Sequence, residues 1–138
     1  MRFLSIYKHA ETNVPPTTEM MAKMGQLIEE MTQAGTLVST EGCLPSSKGA
    51  RVRRSGGKLT VTDGPFTESK EIVGGFAVIE AKSKEEAIEW LKRAPFEGTE
   101  VEIRQVFEAE DFGAEFTPEL REQEERLRHR IAENAKKK

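Results

Sequence analysis

The order of the hydrophobic patterns constrains the fold of this chain more than any other feature of its sequence. Apolar residues recur with a period of about two in strand-like segments and about 3.6 in helix-like segments. Along residues 1–110 these segments follow the order strand, helix, strand, hairpin, strand, helix, strand. This order predicts an α+β domain. It fits a split βαβ arrangement with an inserted β-hairpin, and a mixed sheet of another topology fits it as well.

Turn and cap residues mark the ends of these segments. Thr17 or Thr18 supplies the N-cap of the first helix, and Ser83 begins the second helix, with Glu86 completing a capping box. The turn Ser55-Gly56-Gly57 joins the two arms of the hairpin. The predicted strands cover residues 1–8, 36–40, 50–54, 58–62, 72–81 and 101–107, of which we expect 72–81 to be the most buried.

The first predicted helix carries a methionine-rich apolar stripe and ends at Gly35. Two interpretations fit this stripe, a promiscuous binding groove and packing against the sheet. Since the stripe is the only apolar face that this helix has to bury, we favour packing. Its members are Met20, Met21, Met24, Leu27, Ile28 and Met31.

Residues 111–138 form a separate and highly charged segment. Thr117-Pro118 predicts the cap and the first turn of a third helix. The apolar line of this helix is thin, with Phe116, Leu120, Leu127 and Ile131 as its members. We expect it to dock along the domain or along a partner subunit, and recruitment of another macromolecule is the alternative. The chain therefore divides into a domain at residues 1–110 and a C-terminal charged helix at residues 111–138.

Composition excludes several classes of protein. With 36% hydrophobic and 33% charged residues, no apolar run long enough for a membrane span and no N-terminal leader pattern, we expect a cytoplasmic protein without membrane contact. A net charge of −3 argues against direct nucleic-acid binding. The single cysteine, Cys43, excludes an intrachain disulfide, and the two histidines, His9 and His129, lack metal-ligand spacing. We predict no metal and no cofactor.

The most chemically dense stretch runs from Thr62 to Glu71 and contains Asp63-Gly64-Pro65-Phe66. Proline after glycine disfavours helix, so the stretch is a turn between two strands. One interpretation is a rigid turn in which Asp63 caps nearby backbone N–H groups. The other is a loop that lines a pocket, because Gly74-Gly75 in the following strand removes side chains close to it.

These residues resemble a known family. Asp63-Gly64-Pro65-Phe66, followed by Glu68, Lys70-Glu71 and Gly74-Gly75-Phe76, is similar to the signature of the DGPF proteins, a branch of the YCII-related superfamily. The resemblance runs from Met1 to about Phe107. It implies a ferredoxin-like α+β fold that pairs into a dimeric α/β barrel. It also implies small bacterial proteins, some of them associated with sigma factors of the extracytoplasmic-function type.

The resemblance also implies an acid/base couple of histidine and aspartate, for which His9 and Asp63 are the candidates. Both are therefore predicted catalytic residues, and a surface histidine in a loop is the alternative for His9. The predicted substrate-binding residues are Arg51, Arg53, Phe66, Glu68 and Lys70. A salt-bridged or solvated sheet edge is the alternative for the two arginines, and surface ion pairs are the alternative for Glu68 and Lys70. Cys43 lacks an activating base in the sequence, so we do not expect it to be a nucleophile.

Two functions remain open on this reading. The first is binding or transformation of a small polar or anionic metabolite beside the Asp63 loop. The second is a non-catalytic regulatory or interaction module, with a homodimer as scaffold and a sigma factor as partner. The loop carries more chemistry than a turn requires, and we therefore favour the first.

Overall fold

A computed structural model of the chain describes residues 1–11, 14–66 and 71–137. The chain divides into two compact units, Met1–Val106 and Phe107–Lys138. The strands are β1 (Arg2–His9), β2 (Leu37–Gly42), β3 (Ala50–Ser55), β4 (Lys58–Asp63), β5 (Ile72–Glu80) and β6 (Glu100–Gln105). The helices are α1 (Thr18–Gln33), α2 (Lys84–Leu91) and α3 (Pro118–Lys136), with short 3₁₀ helices at Ser46–Lys48 and Ala109–Asp111.

Four strands form one sheet in the order β2-β5-β1-β6, and every neighbouring pair in it is antiparallel. With α1 joining β1 to β2 and α2 joining β5 to β6, this is the ferredoxin-like split βαβ topology. The strands β3 and β4 pair only with each other, as a hairpin inserted between β2 and β5. The predicted fold class is therefore confirmed, and the mixed sheet of another topology is excluded.

The core lies on one face of this sheet. The buried side chains alternate along β1 and along β5, so they project to one side. Both helices of the first unit add residues to the same cluster. Its buried members are Phe3, Tyr7, Leu27, Met31, Ala77, Ile79, Ala81 and Ala87.

The opposite face of the sheet carries a half-buried apolar patch on its two central strands, β1 and β5. Leu4 lies opposite Val78, and Ile6 lies opposite Phe76. Residues that alternate with the core positions point away from the core, so these four side chains form a second apolar patch. The sequence pattern of β1, with apolar groups on both faces, corresponds to this arrangement.

The stripe of α1 is narrower than predicted. Leu27 and Met31 are buried, whereas Met21 is 54% exposed. Six residues at about 100° each turn Met21 about 120° away from Leu27 around the helix, which places it at the margin of the stripe. The Thr17 hydroxyl caps α1 by accepting a hydrogen bond from the Met20 N–H at 3.1 Å.

At the start of α2 only one of the two hydrogen bonds of the predicted capping box forms. The Ser83 hydroxyl accepts from the Glu86 N–H at 3.1 Å. The Glu86 carboxylate accepts from the N–H of Lys82 at 2.9 Å, one residue before the cap. The helix starts where predicted because the serine alone satisfies its end.

The second unit contains an aromatic row and α3. The ring of Phe112 lies 4.7 Å from Phe107 and 5.0 Å from Phe116, measured between centroids. The hydroxyl of Thr117 caps α3 by accepting from the Leu120 N–H at 3.3 Å. Docking of α3 on the domain or on a partner subunit stays a prediction. None of the helices in the described residues is long and apolar enough to cross a membrane.

Candidate functional site

A cleft of about 240 Å³ opens beside the first residues of β5. The strand β2 pairs with β5 as far as Gly42 and Gly75, and the Cys43 N–H then donates one more hydrogen bond to the Gly74 carbonyl. Beyond that point the loop after β2, the hairpin and the residues before β5 surround the space. The lining side chains are Leu44, Ser46, Arg51, Phe66, Glu71, Ile72 and Val73.

The glycine pair of β5 leaves space that other residues of the protein occupy. A Cβ on Gly75 would lie 2.8 Å from the Glu41 carbonyl oxygen, and a Cβ on Gly74 would overlap the His9 imidazole. The register of β1 and β5 also shifts here, since Tyr7 faces Gly75 and Lys8 faces Val73. The two glycines are therefore explained by a bulge, a close contact with the backbone of β2 and the position of the His9 ring. The cleft lies next to them.

Ser46 connects the loop after Asp63 to the end of β1. Its hydroxyl accepts a hydrogen bond from the Phe66 N–H at 2.9 Å and donates one to the Glu11 carboxylate at 2.6 Å. The Ser46 N–H donates to the other oxygen of Glu11. A Cβ on Gly64 would overlap the Ser46 carbonyl oxygen, so the loop lies directly against this residue. Ser46 is buried, and all of its side-chain hydrogen bonds are satisfied within the protein.

These hydrogen bonds set the charge state of Glu11. The hydroxyl of Ser46, and after it the Ser46 N–H, lower the pKa of the Glu11 carboxyl from its ordinary value. The positive charge of a protonated His9 acts in the same direction more weakly. Glu11 therefore binds Ser46 as an ionised carboxylate near His9. The sequence analysis identified neither Glu11 nor Ser46.

Arg51 and Phe66 meet in the wall of the cleft. The guanidinium carbon of Arg51 lies 3.9 Å from the centroid of the Phe66 ring. Within the described residues the guanidinium has no carboxylate partner. At this distance the guanidinium packs on the ring as a cation–π pair. Two of the predicted substrate-binding residues thus lie side by side.

His9 is the last residue of β1, opposite Ile72 in the floor of the cleft. Its Nδ1 lies 2.9 Å from the carbonyl oxygen of Ala10. A carbonyl only accepts, so Nδ1 carries the proton in this contact, and Nε2 of the neutral ring keeps its lone pair. Nε2 stands over Gly74, two residues from Ile72.

Asp63 ends β4, opposite Ala50, and its side chain is exposed. The described residues give its carboxylate neither a hydrogen bond nor an ion pair, so it does not cap the turn there. The N–H of Gly64 bonds the Gly49 carbonyl at 3.0 Å and closes the hairpin instead. No direct contact joins Asp63 to His9 within the described part of the chain.

The remaining predicted site residues lie outside this group. Arg53 is exposed on β3, opposite Thr60. Glu68 and Lys70 lie outside the described residues. Cys43 is exposed, and its N–H donates to the Gly74 carbonyl.

A charge cluster adjoins the cleft at Glu71. The ammonium of Lys8 lies 2.9 Å from Glu102, 3.6 Å from Glu100 and 3.8 Å from Glu71. The hydrogen bond to Glu102 raises the pKa of Lys8, and the same bond lowers the pKa of Glu102. Lys8 therefore links the end of β1 to Glu71 and to two carboxylates of β6. Among the described residues no cluster of three or more His, Cys, Asp or Glu is arranged to hold a metal ion.

Comparisons with known proteins identify the family. An uncharacterized protein of Rhizobium meliloti (strain 1021) is 32% identical over 73 residues, which is 53% of this chain and 59% of that protein. The solved structure of 5-chloro-2-hydroxyhydroquinone dehydrochlorinase from Burkholderia phenoliruptrix AC1100, in complex with 2,5-dihydroxybenzoquinone, aligns with a TM-score of 0.37 at 17% identity. That alignment covers 80% of this chain and 98% of the dehydrochlorinase. Membership of the DGPF branch stays a prediction. Residues 1–110 match the YCII-related domain, and the chain therefore belongs to the YCII-related family.

Proposed function

We propose that the cleft beside β5 binds a small polar metabolite with an anionic group, and that the protein transforms this metabolite by proton transfer. The observation that carries the proposal is the Arg51 guanidinium stacked on Phe66 in the wall of the cleft. An exposed arginine costs little to leave unpaired, so the missing partner alone is no argument. Packing on the Phe66 ring, however, restricts the position of the guanidinium before a ligand arrives, and the N–H groups that the ring does not cover can then bind an anion.

His9 is the proton-transfer group in this proposal. The contact of Nδ1 with the Ala10 carbonyl fixes the tautomer and leaves Nε2 as the basic atom. Imidazole is the side chain that most often serves as a general acid or base, and we therefore assign the proton transfer to His9. Asp63 is proposed as an accessory carboxylate, and Arg53, Glu68 and Lys70 as further ligand contacts.

The binding step is tested by thermal unfolding in the presence of small anions and anionic metabolites. A ligand at a hundred times its Kd stabilises the fold by about 2.7 kcal/mol, which shifts the Tm of a domain of this size by several degrees. Arg51→Gln is expected to lose the shift. Arg54→Gln is the matched control, since it removes the same charge from the other face of the same strand. Equal responses of the two variants, or no anion that stabilises the wild type, would contradict the proposal.

The chemical step is tested with any ligand found in this way. His9→Gln keeps a hydrogen-bonding side chain and removes the titrating group, so it is expected to bind the ligand and fail to turn it over. Asp63→Asn is expected to lower turnover less, because the carboxylate makes no direct contact with His9 within the described residues. Unchanged turnover in His9→Gln would remove the acid/base role and leave the binding role in place.

A non-catalytic regulatory module, including one associated with a sigma factor, is the alternative. It predicts that no anion stabilises the wild type. It also predicts that binding to the partner is insensitive to Arg51→Gln.

We further propose that the domain forms a homodimer through the apolar face of Leu4, Ile6, Phe76 and Val78. These side chains are half-buried, and strands with apolar groups on both sides are typical of sheets covered on both faces. Static light scattering at micromolar concentration is expected to report twice the mass of the 15.5 kDa chain. A monomer mass would contradict the dimer.

A further inference from the structure

The two faces of the β3–β4 hairpin differ in chemistry. Residues that lie opposite each other in an antiparallel pair project to the same side, and successive residues alternate between sides. By the register of the two strands, one side carries the aliphatic residues Val52, Leu59 and Val61, and we call it the aliphatic face. The other side, the basic face, consists of Arg51, Arg53, Ser55, Lys58, Thr60 and Thr62.

Both faces of the hairpin are open to solvent. Every residue of β3 and β4 is exposed, and the three side chains of the aliphatic face are each more than half exposed. Contiguous exposed apolar side chains that are rimmed by polar ones mark surfaces that contact other molecules. The aliphatic face is therefore suited to an occupant that brings apolar groups.

The cations of the basic face have no anionic partner. Within the described part of the chain, the side chains of Arg53 and Lys58 form neither an ion pair nor a hydrogen bond, and Arg51 contacts the Phe66 ring. The hairpin contains a single acidic residue, Asp63, and it projects to the other side. Such a local surplus of positive charge, on a chain of net charge −3, attracts an acidic partner.

The outer edges of the hairpin are free as well. Among the described residues, β3 and β4 pair only with each other. An edge strand presents unpaired N–H and C=O groups to which an extended chain can add. Along β3, Arg51, Val52 and Arg53 alternate between the two faces, and residues two apart on a strand repeat about every 7 Å. A strand with the order acidic, apolar, acidic has the same repeat and the complementary charge.

We infer that the outer edge of β3 is a docking site for an extended protein segment in which acidic and apolar residues alternate. The segment adds as a third strand, its carboxylates pair with the arginines of the basic face, and its apolar side chains lie against Val52. A hairpin of two strands is marginal in water, and a third strand with an apolar side stabilises it. The inference goes beyond the proposed function, since Val52 and Arg53 are not among the residues that line the cleft.

Two other occupants fit less of this surface. A nucleic acid meets the basic face through its phosphates and leaves the aliphatic face in water. A second copy of the hairpin brings the same cations, which repel one another. An extended strand with one acidic and one apolar side contacts both faces at once.

Ligand-observed NMR titration of the full chain tests the inference with a synthetic heptapeptide that alternates glutamate and valine. An isomer of the same composition, with its glutamates grouped at one end, is expected to bind at least about tenfold more weakly, because its carboxylates cannot all face one side. N-methylation of alternate backbone amides keeps the charge and removes the interstrand hydrogen bonds, so a similar loss is expected. Both comparisons use the wild type and do not depend on a variant folding.

Arg53→Gln is expected to weaken binding of the alternating peptide about tenfold, the factor that one charge-assisted pair supplies. Lys58→Gln is the matched control. It removes the same charge from the same face, but from the strand that lies away from the docking edge. It is expected to weaken binding by less than about threefold.

Failure of the alternating peptide to bind would overturn the inference. Equal binding of the grouped isomer, or equal losses in Arg53→Gln and Lys58→Gln, would reduce the interaction to general charge attraction. An oligonucleotide that binds more tightly than the peptide, and that is lost in Arg53→Gln, would assign the basic face to nucleic acid. A lower mass of Arg53→Gln than of the wild type in static light scattering would mean that a second copy covers the hairpin. The proposed function is judged separately, by thermal unfolding with small anions.

Discussion

The four-stranded sheet and the β3–β4 hairpin are both antiparallel, but they are stabilised by different interactions. In the sheet, Phe3 is 1% exposed and Ile79 is 0% exposed, and both helices of the first unit pack on the same face. In the hairpin every residue is exposed, including Val52 at 68% and Val61 at 62%. The sheet is held by apolar packing, which the hairpin lacks.

The position of the hairpin depends on a few specific contacts near its base. The N–H of Gly64 bonds the Gly49 carbonyl, the N–H of Phe66 bonds the Ser46 hydroxyl, and Arg51 stacks on Phe66. An isolated two-stranded hairpin is marginal in water, so these contacts decide where its side chains stand. The difference teaches that stability and the proposed anion contact are separated in this domain: the sheet supplies the core together with Ile72 and His9, whereas the exposed hairpin supplies Arg51 to the wall of the cleft.

The largest effect is expected from truncation in the sheet. Ile79→Ala removes a fully buried side chain at the centre of β5 and leaves a cavity, which costs about 2–5 kcal/mol of unfolding free energy. Val61→Ala, on the exposed hairpin, is the matched control and is expected to change stability by less than about 0.5 kcal/mol. Urea denaturation measures both. Similar losses in the two variants would contradict the separation.

A smaller effect is expected where the loop touches the 3₁₀ helix at Ser46–Lys48. In Gly64→Ala the new Cβ overlaps backbone atoms of Ser46, which a side-chain rotation cannot relieve, and the cost is expected to be about 1–3 kcal/mol.

Gly25→Ala in α1 makes the same chemical change where nothing lies within 4 Å of the new Cβ. Alanine replaces glycine there in a helix interior, so a gain of about 0.5–1 kcal/mol is expected. A lower urea midpoint in Gly64→Ala and a higher one in Gly25→Ala, each relative to the wild type, would support the contact at Ser46. A higher midpoint in both variants would mean that Gly64 does not pack against Ser46.

Much of the fold follows from the sequence because amphipathic segments have to bury one face. The periodicity of β1 and α1, and the caps Thr17 and Ser83, predicted the elements and their order. The shift of register at Gly74 was not predicted in detail, because a glycine pair signals a close approach without naming the group that approaches. His9 and the Glu41 carbonyl are those groups.

The site was predicted less completely. Arg51 and Phe66 were predicted separately as ligand contacts. They lie together because β3 and β4 are antiparallel, so the chain that follows β4 comes back beside the start of β3. Glu11 and Ser46 were missed, since a hydrogen bond between residues 35 positions apart leaves no local pattern in a sequence. Whether Glu68 and Lys70 contribute stays a prediction, because they lie outside the described residues.

A pH-dependent effect is expected at Glu11. Its folded-state pKa is lowered, so it contributes stability that is fully present above the ordinary carboxyl pKa of 4.5 and is lost as the pH falls through the lowered value. The gap in urea midpoint between the wild type and Glu11→Gln is therefore expected to be widest at neutral pH and to close on acidification. Glu97→Gln, at an exposed carboxylate in the same unit, is the control and is expected to show no such gap. If the difference in urea midpoint stayed constant down to acidic pH, the ionised Glu11 carboxylate would not stabilise the fold through Ser46.

The smallest effect on stability is expected at the residue with the largest proposed effect on binding. Arg51→Gln removes one exposed cation–π contact, which contributes about 0.5–1 kcal/mol, and it breaks no ion pair among the described residues. Its urea midpoint is therefore expected to stay close to that of Arg54→Gln, while its affinity for anions falls. If Arg51→Gln unfolded as readily as Gly64→Ala, the stack on Phe66 would be a structural contact of the hairpin, and the loss of binding would report a displaced cleft wall. A stable variant that no longer binds anions assigns the guanidinium to the ligand, because the wall is then in place and only the donor is missing.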